Sequence, residues 1–213
     1  MLFLHELIDI VGEGARKYME LTARFDTESA ADRGLTLFGT WQVVGVTGRW
    51  PQVVNLWTID GWDGWGRLVT AANVKRTENK PLAEWWQEAY ATRTGGFDRL
   101  LRAHGEVDDA AVGELWVHEV TEVRPGAAAD YLAAVREEWA PVAAAHGHHL
   151  VGAFDVQFTD VEVVTLWATD VASHLAFEQA DLDVDWPARR REFTTRWREE
   201  LLVPGLPERA GLA

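Results

Sequence analysis

The chain contains no cysteine. That removes disulfides, thiolate nucleophiles, iron–sulfur clusters and cysteine-ligated zinc together, and it fits a reducing compartment such as the cytoplasm. Cations are scarce as well: 20 Lys and Arg stand against 34 Asp and Glu, a formal charge of −14. Such a surface repels phosphate backbones and argues against a nucleic-acid partner. The one basic run, Arg189-Arg190-Arg191, has acids around it and reads as a solvated helix face. No apolar run reaches the roughly 18 residues of a membrane span. The opening MLFLHELIDI carries His5, Glu6 and Asp9 within its apolar stretch and no basic n-region, so neither a signal peptide nor a membrane anchor is expected. GxGxxG, Walker A, GxSxG, HExxH and EF-hand patterns are all missing, which sets aside nucleotide-dependent and serine-hydrolase chemistry.

What is present points to a globular domain. The 213 residues are 47% hydrophobic and 25% charged, enough apolar material to bury a core without covalent staples. Tryptophan is the compositional anomaly, with 12 residues. Indoles supply large apolar walls with one polar handle; most belong in a core, but the grouping of Trp57, Trp62 and Trp65 suggests that some line a cavity.

A pattern is written twice. FLHELIDI at Phe3 to Ile10 returns as WVHEVTEV at Trp116 to Val123, an offset of 113 that also matches Tyr18 with Tyr131, Gly39 with Gly152 and Trp41 with Phe154. NLWTID at Asn55 to Asp60 then matches TLWATD at Thr165 to Asp170. Internal repeats decide the fold before any local pattern does. Strands are expected at Leu2 to Ile10, Leu35 to Val46, Val53 to Asp60 and Phe97 to Ala103, with helices at Ala15 to Arg24, Trp62 to Arg76 (broken near Asn79-Lys80-Pro81) and Leu82 to Thr92. The second half repeats the plan: strands Leu115 to Val123, His149 to Phe158, Val161 to Thr169 and Leu201 to Val203, an alanine-rich helix Ala127 to Ala145, and short helices at Val171 to Ala180 and after Asp185. Each half reads β-α-β-β-α-β. The expected class is α+β: two ferredoxin-like modules, residues 1–103 and 114–213, joined by a linker at 104–113, with the bare sheet faces covering each other in a pseudo-dimeric α+β barrel.

Several of these segments carry a family resemblance. The strand with His-Glu, Val123-Arg124-Pro125-Gly126, the helix with Tyr131, Leu150-Val151-Gly152, Val164-Thr165-Leu166-Trp167 and the closing Leu201-Leu202-Val203-Pro204 resemble NIPSNAP-like proteins of the dimeric α+β barrel superfamily. The first half departs, with Val11-Gly12 in place of Pro-Gly and an insertion through residues 61–81. The superfamily includes cofactor-independent monooxygenases, cyclases, isomerases and haem proteins such as chlorite dismutase. The resemblance therefore implies a pocket for a small hydrophobic or aromatic molecule; it does not choose the reaction.

Candidate site residues follow from both lines. Strand alternation puts His5 and Glu6, and equally His118 and Glu119, on opposite faces. Each histidine reads as a core residue, as an acid–base group or as an axial haem ligand; each glutamate reads as an ion-pair partner or, if buried, as a base. Asn55 stands two residues before Trp57, resembling the oxygen-directed amide of cofactor-free monooxygenases. His174, Tyr90 and Asp155 occur in one half only. Trp41, Trp57, Trp62, Trp65, Phe154 and Trp167 are the expected substrate wall. His146-Gly147-His148-His149 reads as an exposed helix end favoured by the macrodipole, and no metal is expected. The functional expectation is a cofactor-independent oxygenase, cyclase or isomerase of specialised metabolism, acting as a monomer with an internal pseudo-dimer or as a homodimer. The alternatives are a non-catalytic ligand-binding protein and a haem protein.

Overall fold

A computed structural model describes residues 1–75, 78, 80–182 and 184–211. Arg76 and Asn79, which belong to the expected broken helix, lie outside the described residues. The chain divides into two compact units, residues 1–100 and 101–213.

In the first unit the elements run β1 (Leu2–Ile10), α1 (Ala15–Phe25), β2 (Leu35–Val43), β3 (Gln52–Ile59), α2 (Gly61–Val69), α3 (Lys80–Ala89) and the start of β4 (Arg93–Ala103). β3 is central, antiparallel to β1 on one side and β2 on the other. Its sequence QVVNLWTI is β-branched and apolar on both faces, as a strand covered on both sides requires, and all but one residue are buried. The even-numbered residues of β1 face the helices: Leu2 and Leu4 pack with Phe25 and Trp57, and Ile8 and Ile10 pack with Tyr18 and Met19. α1 buries Tyr18, Leu21, Thr22 and Phe25, the i, i+3, i+4, i+7 stripe of an amphipathic helix. Trp85 of α3 completes this layer, 5.2 Å from the Phe25 ring and donating its indole N–H to the Leu21 carbonyl at 3.1 Å.

The second unit holds β5 (Leu115–Val123), α4 (Ala128–Ala134), α5 (Ala140–Ala145), β6 (His149–Val156), β7 (Glu162–Thr169), α6 (Val171–Glu178), α7 (Trp186–Arg191) and β8 (Thr194–Pro204). β5 lies between β7 and β8, β6 follows β7, and the last residues of β4 pair with β6, all antiparallel. Strand register repeats between units: Glu6 faces Asn55 as Glu119 faces Thr165, and His5 faces Leu56 as His118 faces Leu166. A break in register also recurs, at Leu37/Gly39 in β2 and at Leu150/Gly152 in β6. A Cβ on Gly39 would lie 2.3 Å from the Trp41 ring, and one on Gly152 2.4 Å from the Phe154 ring. Glycine is needed at both because an aromatic ring two residues later lies flat over the backbone.

The helix expected over Ala127 to Ala145 is not continuous. Val135–Trp139 form one wider, π-type turn between α4 and α5, and Pro141 sits at the start of α5. Proline has no N–H for the preceding turn, so the ladder is re-formed around it. Trp139 is thereby turned onto Trp186, with rings 5.3 Å apart and 3° from parallel. β8 is longer than the expected Leu201 to Val203, and β4 begins at Arg93 rather than Phe97. Among the described residues no helix is long and apolar enough to cross a membrane.

Candidate functional site

Each unit has a cavity between its sheet and its helices. The one in the second unit measures about 290 Å³ and is bounded by Trp139, Trp167, Trp186, Phe177 and Trp197. Its floor is Glu119 of β5. The carboxylate accepts the indole N–H of Trp167 at 2.9 Å on Oε2 and that of Trp197 at 2.9 Å on Oε1, and the Thr165 hydroxyl also donates to Oε2. The ladder explains this convergence: Glu119 is opposite Thr165 on β7 and opposite Glu199 on β8. Trp167 and Trp197 each lie two residues along from those partners, within diagonal reach of a long side chain. Glu199 also lines the cavity. Burial, the Glu119 charge and the Glu178 charge push its carboxyl up to about 7.

α6 brings the imidazole. Asp170 caps its N-terminus, accepting from the Ser173 backbone N–H at 2.8 Å, and His174 stands in the first turn with 8% exposure. His148 reaches it from the end of α5. The intervening Gly147 has φ +80° and a position where a Cβ would meet Ser173 Oγ at 2.7 Å, so the approach tolerates no side chain. His148 Nδ1 lies 3.3 Å from the His146 carbonyl and its Nε2 3.1 Å from His174 Nδ1. A carbonyl only accepts, so Nδ1 of His148 carries the hydrogen. Burial pushes this imidazole below the ordinary histidine value, and in the neutral ring with hydrogen on Nδ1 the Nε2 atom is the acceptor. His174 Nδ1 then donates to it, and in the neutral form of the His174 ring Nε2 is the acceptor. One ring nitrogen of His174 and one oxygen each of Glu178 and Glu199 lie within 4.8 Å of one another.

The cavity of the first unit, about 280 Å³, repeats part of this set. Glu6 accepts from Trp57 Nε1 at 2.8 Å and from Asn55 Nδ2 at 3.0 Å. Asn55 Oδ1 accepts from the Thr40 hydroxyl at 2.6 Å. Arg33, buried and stacked 4.5 Å over Phe25, is drawn down to about 10 by desolvation. Asp98 is raised to about 6 by desolvation and by the Glu6 charge. Asp98 is nonetheless an exposed residue of β4, so solvent screening weakens that shift.

Of the residues singled out in the sequence, Glu119, Trp167 and His174 come together in the second cavity, and Glu6 and Trp57 in the first. His5 and His118 lie fully buried on the opposite sheet faces, outside both cavities; His118 Nδ1 is 3.7 Å from the equally buried Glu200. Asn55 is fully buried, with its amide committed to Glu6, Thr40 and Tyr18. Trp41 and Phe154 pack over their glycines. Trp62 and Tyr90 are exposed on the outer surface, Trp65 of α2 packs partly buried against the cluster of Phe25 and Trp57, and Asp155 pairs with Arg102 at 2.8 Å. The reading of His146 to His149 as an exposed helix end is corrected at His148, which is 4% exposed and bonded to His174; His149 is exposed and pairs with Asp108, and His146 is half-buried. Sequence reasoning missed His148 as the orienting partner, and missed Trp139, Trp186, Trp197, Glu178 and Glu199. The i, i+2 spacing of Trp197 and Glu199 on one strand face was the available signal.

No family model matches the chain, and no curated protein matches it. Solved structures do. An anthrone oxidase-like protein superposes with a TM-score of 0.69 at 14% identity over 95% of this chain and 90% of its own. A candidate monooxygenase from Lactobacillus acidophilus gives 0.64 at 10% identity over 96% and 94%. A NIPSNAP domain protein from Burkholderia xenovorans matches 49% of this chain and 96% of its own at 14% identity, with a TM-score of 0.38. At these identities the likeness to the first two is one of fold.

Proposed function

We propose that the protein is a small-molecule enzyme of oxygenase type whose substrate, a flat aromatic compound with an acidic C–H or phenolic O–H, sits in the tryptophan-walled cavity of the second unit. The observation that carries this reading is the buried imidazole of His174, held at Nδ1 by His148 and lining an aromatic cavity whose floor is the hydrogen-bonded Glu119 carboxylate. The indoles take the ring by stacking and edge contacts. Glu119 Oε1 accepts a hydrogen bond from a substrate hydroxyl and sets its orientation. His174 Nε2 accepts the acidic proton, and the imidazolium that forms is held by His148 Nε2. The substrate anion, an electron-rich aromatic, passes electrons to dioxygen; conversion of a ring CH₂ to C=O with one O₂ releases one water and balances without a further reductant. The fold likeness to an anthrone oxidase-like protein and to a candidate monooxygenase supports the reaction class. The repeated register of the two sheets supports reading the units as two ferredoxin-like modules.

Haem fits the cavity poorly. Glu178 and Glu199 crowd the His174 nitrogen within 4.8 Å, where a porphyrin face needs apolar surface, and about 290 Å³ is at the small end for ligand pockets. A Soret band in the purified protein would reverse that judgement. The direct test is oxygen uptake with a panel of anthrones and hydroxylated naphthalenes. A proton acceptor of this kind contributes roughly 100-fold or more, so His174→Ala should lose that much kcat while still binding the aromatic. Undiminished turnover in that variant would sink the assignment.

A further inference from the structure

We infer that His174, Glu178 and Glu199 form a site for a first-row divalent metal ion, with His148 as the positioning residue. Acidic clusters on a protein surface are common, and the two glutamates alone would mean little. Three features separate this cluster from that background. The third donor is an imidazole with 8% exposure, on the cavity wall. Its ring is held from behind, with His148 Nε2 3.1 Å from His174 Nδ1 and His148 Nδ1 3.3 Å from the His146 carbonyl. Metal-bound histidines are characteristically oriented in this way by a partner on the second nitrogen. Finally, the sheet sets Glu199 directly opposite Glu119, an arrangement of like charges that costs stability on a strand ladder. Glu178 adds a third carboxylate to the same cavity, and among the described residues the one guanidinium lining it, that of Arg190, lies 3.6 Å over the Trp197 ring. A divalent ion would neutralise this excess.

The donor set is one nitrogen and two carboxylates, with a side open to the cavity. That suits zinc, cobalt or manganese better than a thiophilic ion, and the open side leaves room for water or substrate oxygen. His174 and Glu178 are four residues apart on α6 and share its face, so the ion would pin that helix to β8. If the proposed turnover is right, one consequence rests on it: an ion on His174 Nε2 occupies the proton acceptor, and metal loading would inhibit the reaction.

The test is titration of the apo full-length chain with Co²⁺, read by visible ligand-field absorption, and with Zn²⁺ by calorimetry. Stoichiometric binding with a tetrahedral or five-coordinate cobalt spectrum is expected. Glu199→Gln, which keeps the shape of the side chain, should weaken binding by about 100-fold; His148→Ala should weaken it by about 10-fold to 100-fold through lost orientation. His149→Ala, at the exposed pair with Asp108, should change nothing. No cobalt band, or affinity unaltered by Glu199→Gln and His174→Ala, overturns the site and assigns any binding to the acidic surface. Oxygen uptake is scored separately: metal binding without turnover leaves the site standing and removes the enzyme reading, and the converse removes only the site.

Discussion

Gly39 and Gly152 show how much a single residue can determine. Each lies under an aromatic ring from the second residue after it, with no room for a methyl group. Gly39→Ala and Gly152→Ala should each lower the unfolding free energy by about 1–3 kcal/mol, the range for overpacking, read from the denaturant midpoint at unchanged slope. Glu119 makes a second residue-scale case. Its two oxygens accept from two indoles and a hydroxyl, so Glu119→Gln turns an amide N–H₂ toward at least one donor. A loss of about 1–3 kcal/mol is expected, the cost of an unpaired buried polar group. The pairing of Glu119 with Trp167 was half legible in the sequence: alternation gave the face, and the repeat gave the strand. The Trp197 bond was not, because it depends on which strand lies on the other side of β5, a non-local fact that no spacing encodes. The opposite held for His5 and His118. Their repetition made them conspicuous, yet the same alternation that turns the glutamates toward the helices turns these histidines away.

At the scale of elements, α6 is the part to perturb. Asp170 caps it, and hydrogen bonds from the Ser173 backbone and hydroxyl hold its carboxyl below the usual range. A depressed carboxyl stabilises the fold above its unfolded value, about 3.9, and that contribution is lost as pH falls through the folded value. The Tm deficit of Asp170→Ala should therefore be largest at neutral pH and shrink as the solution is acidified through pH ~4; a deficit independent of pH would show that the charge is irrelevant to the cap. Strand positions were readable from β-branched and aromatic runs, and the helix stripe of α1 from its period. The interruption after α4 was not, since an alanine-rich segment reads as uninterrupted helix until Pro141 is given its full effect. That interruption moves Trp139 onto the cavity wall, so the missed element boundary and the missed site residue have one cause.

The whole molecule is strongly acidic, at −14, and cation affinity for the cluster on α6 and β8 should fall as ionic strength rises, because exposed acidic residues draw cations only over about a Debye length, ~10 Å at 0.1 M salt; calorimetric titrations at low and high salt would show it. The pattern written twice was the most conspicuous feature of the sequence, but the likeness hid where the halves part company. Glu6 and Trp57 repeat as Glu119 and Trp167, hydrogen-bonded in the same way. Around them the first cavity has Arg33 and Asp98, while the second has His148, His174 and Glu199. The chain thus carries a blank alongside its sample: two indole–carboxylate pairs on matched strands, one beside an imidazole and one without. With fluorinated tryptophan in place of the native indoles, the Trp57 resonance becomes an internal reference for Trp167, recorded in the same tube at the same temperature and concentration. Paramagnetic cobalt should broaden the Trp167 signal, which shares the cavity with the proposed ligands.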